Sequence, residues 1–118
     1  MGQINIKRIY EEASDEDGFR VLVDRLWPRG VSKERANLDQ WAKEITPSSG
    51  LRQVFHSGEI GWDEFRQAYL LELKNNAVFS LWSEEIFSRL DHGPVTFFTA
   101  ASCQVHCHVH VLIEALGR

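Results

Sequence analysis

The chain has 118 residues, of which 43% are hydrophobic and 25% are charged, as is typical of one soluble globular domain with its own core. This balance excludes a disordered tail, a collagen-like fibre and a disulfide-rich secreted scaffold. Seventeen acidic side chains against thirteen basic ones give a net charge of −4. That charge argues against a nucleic-acid partner, because coating a duplex requires clustered cations.

The N-terminal segment lacks the features of an export signal, because Lys7 and Arg8 interrupt its apolar stretch. No window has the roughly 18 uncharged apolar residues that a membrane span requires. We therefore expect a cytoplasmic protein with no membrane partner. A structural disulfide is not expected in that compartment, so metal binding, reactivity or burial are left as roles for Cys103 and Cys107.

Alternating apolar residues predict two strands in the N-terminal part of the chain. The first covers about residues 3–10, and the second covers about residues 19–23. Leu22 makes the second strand apolar on both faces, as in the centre of a parallel sheet. Residues 27–30 (WPRG) end this strand, since proline cannot donate a backbone hydrogen bond and glycine frees the backbone.

Residues 38–45 are ambiguous. Asn37 and Gln40 resemble a capping box, which favours the start of a helix. The apolar side chains at helical spacing also favour a helix, namely Leu38, Trp41, Ala42 and Ile45. Further along, apolar spacing predicts helices over about residues 62–74 and 77–90, then a buried strand over 95–101 and a final helix. We therefore expect a single α/β domain over residues 1–118, with a small, mainly parallel or mixed sheet flanked by helices.

The C-terminal segment concentrates thiols and imidazoles. On a helix, Cys103, His106, Cys107 and His110 share one face, and an apolar stripe lies on another. The segment follows the carboxyl end of a strand, where α/β proteins bind ligands and where a helix start lowers thiol pKa. Three interpretations stay open: a metal site, a nucleophilic or redox cysteine, and plain burial.

A second group of polar residues follows the second predicted strand. Asp24 is either half of a structural ion pair or a ligand-facing carboxylate, since burying its charge alone is costly. Arg25 and Arg29 have the planar guanidinium groups that bind anions. Gly30 would let backbone N–H groups approach a phosphate or a carboxylate, and Trp27 is a candidate pocket wall.

Four stretches closely resemble the YeaO-like branch of the domain of unknown function 488 family: residues 7–10 (KRIY), 17–30 (DGFRVLVDRLWPRG), 46–48 (TPS) and 51–52 (LR). The resemblance runs nearly end to end and implies a bacterial, cytoplasmic protein. It also implies a third strand ahead of the helical middle, which favours a strand over residues 39–45. It implies no activity.

The family pattern ends in a lysine–aspartate turn and a His-Asn-His helix start, and this resemblance carries over only in part. His106 and His108 match the two histidines, while Ser102, Cys103 and Cys107 stand at the lysine, aspartate and asparagine positions. The chain therefore keeps the histidines and lacks the usual polar pair. By resemblance, this is an altered or weakened site.

Together these patterns predict one pocket where the carboxyl ends of the second and last strands meet. Its expected ligand-binding residues are Asp24, Arg25, Trp27, Arg29 and Gly30, and its candidate catalytic residues are His106, His108 and Cys103. The arginines would hold a small anionic molecule, of which a phosphate-bearing one is an example, and a histidine could act as acid or base.

Whether the chain is an enzyme is left open at this point. No cofactor or metal is assigned. The alternatives are a non-enzymatic regulator or interaction module, and a metal-binding protein that uses Cys103, His106, Cys107 and His110. The four tryptophans could cover a homodimer face as readily as a core.

Overall fold

A parallel sheet of four strands forms the centre of the computed structural model, which describes residues 2–102 and 106–117. The strands are β1 (Ile4–Arg8), β2 (Phe19–Leu22), β3 (Gln40–Trp41) and β4 (Val95–Thr99), in the spatial order β1-β4-β2-β3. The prediction of a small parallel sheet in an α/β fold is confirmed. Because β2 and β4 are parallel neighbours, the chain leaves both of them at the same edge of the sheet.

The described residues also form five α-helices: α1 (Lys33–Ala36), α2 (Ser49–His56), α3 (Trp62–Lys74), α4 (Ala77–Leu90) and α5 (His108–Ala115). The predictions over 62–74 and 77–90 are confirmed. Short 3₁₀ segments lie at Asp15–Asp17 and Lys43–Ile45. No helix within residues 2–102 or 106–117 is long and apolar enough to cross a membrane.

Residues 38–45 form the short strand β3 and then a 3₁₀ turn, so the capping-box interpretation is wrong and the strand favoured by the resemblance is present over two residues. Asn37 ends α1 in the left-handed conformation, with φ 48°, and therefore cannot start a helix. Ala42 N–H then donates to the Leu22 carbonyl over 2.9 Å. Pairing with the sheet outweighs the local helical spacing.

The sheet is buried on both faces. Val21, Val23 and Phe97 belong to the large core that packs under the helices, whereas Leu22 and Phe98 belong to a smaller cluster on the other face. This two-sided burial is what the continuous apolar run of β2 predicts.

The final helix starts later than the sequence predicts. Cys107 has extended backbone angles, φ −154° and ψ 142°, and is the residue before the first turn of α5. His106 and Cys107 therefore precede the helix, and the predicted shared helical face with His110 is wrong for them. The prediction for Cys103 lies outside the described residues.

A buried ion pair connects the loop before β2 to α1. Arg20 pairs with Asp17, and its guanidinium donates to the carbonyls of Ala36 and Asn37 over 2.8 Å each. The same guanidinium lies 4.1 Å from the centroid of the Phe98 ring. These contacts satisfy a charge that is only 5% exposed and attach α1 to the sheet.

Replacing this arginine tests that attachment. Arg20→Ala should lower the free energy of unfolding by about 3 kcal/mol. The variant leaves the buried Asp17 carboxylate with one cation fewer and leaves the Ala36 and Asn37 carbonyls without this donor. Urea denaturation measures the loss. The matched control is Arg66→Ala, whose ion pair with Glu114 lies on the surface and should matter little. Equal losses in the two variants would contradict this account.

Candidate functional site

A cavity of about 490 Å³ opens at the carboxyl ends of β2 and β4. Asp24 and Arg25, which follow β2, and Ala100 and Ala101, which follow β4, contribute to its wall. The turn 26–29, the loop and helix 46–56 and residues 106–108 complete most of it. The two polar segments singled out in the sequence thus border one hollow, at the edge where parallel sheets bind ligands.

Asp24 joins the ends of the two strands. One carboxylate oxygen accepts a hydrogen bond of 2.7 Å from the Thr99 hydroxyl, and the other accepts one of 2.8 Å from the Ala100 N–H. His108 Nε2 lies 3.2 Å from the first oxygen. The carboxylate is therefore occupied by protein donors, which favours the structural interpretation of Asp24 over the ligand-facing one.

The environment of Asp24 shifts its acidity. Burial raises the pKa of this carboxyl group, but hydrogen bonds from His108, the Ala100 N–H and Thr99 outweigh that effect. Together with the electrostatic attraction of His108, they hold the pKa below its ordinary value of 3.8. The carboxylate is therefore ionised at neutral pH and part of the fold's stability depends on its charge.

His108, the first residue of α5, has a defined orientation. Its Nε2 lies 2.9 Å from the Val23 carbonyl oxygen and 3.2 Å from the Asp24 carboxylate. Both neighbours only accept hydrogen bonds, so Nε2 carries the hydrogen. Nδ1 makes no hydrogen bond within the described residues. It is the ring nitrogen left for a ligand, and His108 lines the cavity.

Three arginines line the cavity in different ways. Arg25 donates to the carbonyls of Pro47 and Thr46 over 3.1 and 3.3 Å, and so holds the loop before α2. Arg29 is exposed and Arg52 is half-buried, and neither forms an ion pair within residues 2–102 and 106–117. The guanidinium groups of Arg29 and Arg52 are therefore not engaged by a carboxylate among the described residues.

Arg52 and His56 belong to the cavity wall, although the sequence patterns used above assign neither to a site. They lie four residues apart on α2, one helical turn, and so share a face. That spacing of a cation and an imidazole was the available signal. What the sequence does not reveal is that this face of α2 turns towards the ends of β2 and β4.

His106 is exposed and stacks on Trp62, with ring centroids 4.4 Å apart and planes 17° apart. Trp27 donates from Nε1 to the Val31 carbonyl over 2.7 Å, which closes the turn that carries Arg29. Gly30 lies at the exposed tip of this turn with φ 78°, outside the cavity lining as described. Its left-handed backbone explains a glycine there.

The structure brings together most of the residues predicted for the site: Asp24, Arg25, Trp27, Arg29, His106 and His108. His110 instead lines a separate hollow with Lys7 and Arg8. Cys103 lies outside the described residues. The ligand-binding and catalytic roles assigned to these residues stay predictions.

Cys107 is buried, lines the cavity and is disulfide-bonded. The expectation against a disulfide is therefore wrong for this residue, because an argument from the redox compartment does not show which sulfurs a fold brings together. Among the described residues, no three histidine, cysteine, aspartate or glutamate side chains cluster closely enough to hold a metal ion.

The lowered pKa of Asp24 predicts a pH-dependent stability difference. Because the folded-state pKa lies below the ordinary 3.8, the stabilisation is complete above about pH 5 and is lost as the pH falls from there through the folded-state pKa. The amide of Asp24→Asn does not titrate, and its N–H donors face the Thr99 and Ala100 groups that donate to the wild-type carboxylate. The variant should be less stable than the wild type at pH 7, by a margin that shrinks towards pH 3.

Urea unfolding at several pH values measures this margin. Glu84→Gln, at an exposed carboxylate on α4, is the control and should produce no comparable gap. A gap for Asp24→Asn that stays constant from pH 7 to pH 3 would contradict an ionised, hydrogen-bonded carboxylate.

Comparisons with known proteins agree on the family of this chain. The family model described as the inactive DUF488-N3 subclade matches residues 3–118. The uncharacterized protein YeaO of Escherichia coli (strain K12) is 53% identical over 113 residues, which are 96% of each chain. The uncharacterized proteins Rv3073c of Mycobacterium tuberculosis (strain ATCC 25618 / H37Rv) and Mb3100c of Mycobacterium bovis are 33% identical over 115 residues, 98% of this chain and 94% of theirs. No solved structure matches the chain. The resemblance inferred from the sequence is thus confirmed, and the chain belongs to the DUF488 family as a YeaO-like member of its inactive DUF488-N3 subclade.

Proposed function

We propose that this chain binds a small anionic, phosphate-bearing molecule in the cavity at the ends of β2 and β4. The observation that carries the proposal is the charge of the wall. Three guanidinium groups and three imidazoles line the cavity in its described part, from Arg25, Arg29, Arg52, His56, His106 and His108. The one carboxylate among these lining residues, Asp24, already accepts hydrogen bonds at both oxygens.

This local charge is opposite to that of the whole chain, whose net charge is −4. Gathering cations in a hollow of an acidic protein costs electrostatic free energy unless an anion compensates it. Arg29 and Arg52 offer guanidinium groups that no described carboxylate occupies. Such groups bind phosphate through two parallel hydrogen bonds.

Two further features of the cavity wall also favour a phosphate ligand. Helix α5 begins at His108 on the cavity wall, so the positive end of its dipole adds to the attraction for an anion. His108 presents Nδ1 as the nitrogen not engaged by Val23 or Asp24. With the hydrogen on Nε2, Nδ1 is an acceptor and can take a hydrogen bond from a hydroxyl of the phosphate group.

The proposal is for binding without turnover. The matching subclade is described as inactive, and this chain has Ser102, Cys103 and Cys107 at positions where the family resemblance expects lysine, aspartate and asparagine. The histidines would then serve as binding groups and would not transfer protons to substrate. The proposed protein thus combines anion binding with the non-enzymatic alternative: it is a cytoplasmic regulator or interaction module that binds a small anion.

Arginine replacement tests anion binding. Arg29→Ala and Arg52→Ala should each weaken the binding of a phosphate-bearing ligand by about ten- to a hundredfold, because each removes a charge-assisted hydrogen bond. A thermal-shift screen of phosphorylated metabolites finds ligands, and isothermal titration calorimetry measures each affinity. Arg89→Ala, on the exposed side of α4, is the matched control and should leave affinity unchanged.

A wild-type protein that is stabilised by no anion, or stabilised equally in the two cavity variants, would contradict the proposal. The claim about turnover has its own measurement. Phosphorus NMR of the bound compound should show it unchanged after prolonged incubation. Conversion that disappears in His108→Ala would show that the site is catalytic.

A further inference from the structure

Apolar and aromatic side chains make up the rest of the cavity wall, among them Tyr10, Leu26, Trp27 and Phe55. Leu26 is 67% exposed and Tyr10 is 39% exposed. Large apolar groups that stand in water beside a cavity are often the groups that a ligand covers. A purely inorganic anion would leave both of them uncovered.

Flat rings are layered at this side of the cavity. His106 stacks on Trp62, with centroids 4.4 Å and planes 17° apart, and Phe55 stacks on Phe65, with centroids 4.4 Å and planes 25° apart. His106 and Phe55 both line the cavity, and His106 is exposed. Stacks of this kind offer flat, polarisable surfaces on which a further planar ring gains contact.

The size of the cavity also points to an organic ligand. Its volume of about 490 Å³ lies within the range of sites for organic molecules, roughly 300–1,000 Å³. Inorganic phosphate would fill only a small part of it. The charged and the apolar residues belong to one hollow, so a single molecule can contact both.

We propose, building on the proposed function, that the natural ligand is a phosphate monoester that carries a flat aromatic ring. Its phosphate binds Arg29 and Arg52. Its ring lies against Leu26 and the exposed ring of His106. The site thus recognises an amphipathic anion by a cationic part and a ring-binding part of the same wall.

Three matched phosphates separate these contributions in calorimetric titrations of the full chain. Methyl phosphate has no ring, cyclohexyl phosphate has an apolar ring that is not flat, and phenyl phosphate has a flat aromatic ring. Phenyl phosphate should bind about tenfold more tightly than methyl phosphate. Cyclohexyl phosphate should bind more weakly than phenyl phosphate, because it cannot stack.

Surface variants locate the ring. Leu26→Ser should remove most of the advantage of phenyl over methyl phosphate while leaving methyl phosphate binding unchanged. His106→Ala should weaken phenyl phosphate binding more than methyl phosphate binding, because it removes both a binding group and the exposed ring. The matched control is Leu81→Ser, since Leu81 on α4 is 70% exposed and lies outside the cavity lining. It should preserve the full advantage.

The outcomes distinguish this inference from the proposed function. Equal affinity for all three phosphates, with loss in Arg29→Ala, would overturn the ring inference and leave anion binding intact. Equal affinity for the cyclohexyl and phenyl compounds would overturn the requirement for a flat ring. No binding of any of the three phosphates at millimolar concentration would overturn both proposals.

Discussion

The contacts of the Asp24 carboxylate hold the site together. A single side chain after β2 accepts hydrogen bonds from Thr99 and Ala100 at the end of β4, and lies 3.2 Å from Nε2 of His108 at the start of α5. The ends of β2 and β4 and the start of α5 thereby meet at one point. These donors satisfy the carboxylate and lower its pKa, and among the described residues it forms no ion pair with an arginine.

Arginines around the cavity divide into two kinds. The Arg25 guanidinium donates hydrogen bonds to the Thr46 and Pro47 carbonyls and so holds the loop that leads into α2. Arg52 lies on α2 itself and, like Arg29, has no carboxylate partner within the described residues.

Local pattern was enough to predict β1, β2, β4 and the long helices, but over residues 38–45 it favoured a helix where β3 lies. It failed where tertiary contacts decide. The start of α5 is set at His108, whose ring bonds to the Val23 carbonyl. Arg52 joins the site because of how α2 packs, which no spacing within α2 reveals.

The central claim is that this one cavity attracts phosphate-bearing ligands. The most direct measurement is a nitrogen–proton NMR titration of the labelled chain with phenyl phosphate. The account predicts that amide shift changes concentrate at residues 24–29, 52–56 and 106–108, around the cavity wall. Changes that concentrate instead at Lys7, Arg8 and His110, which line the other hollow, would contradict it.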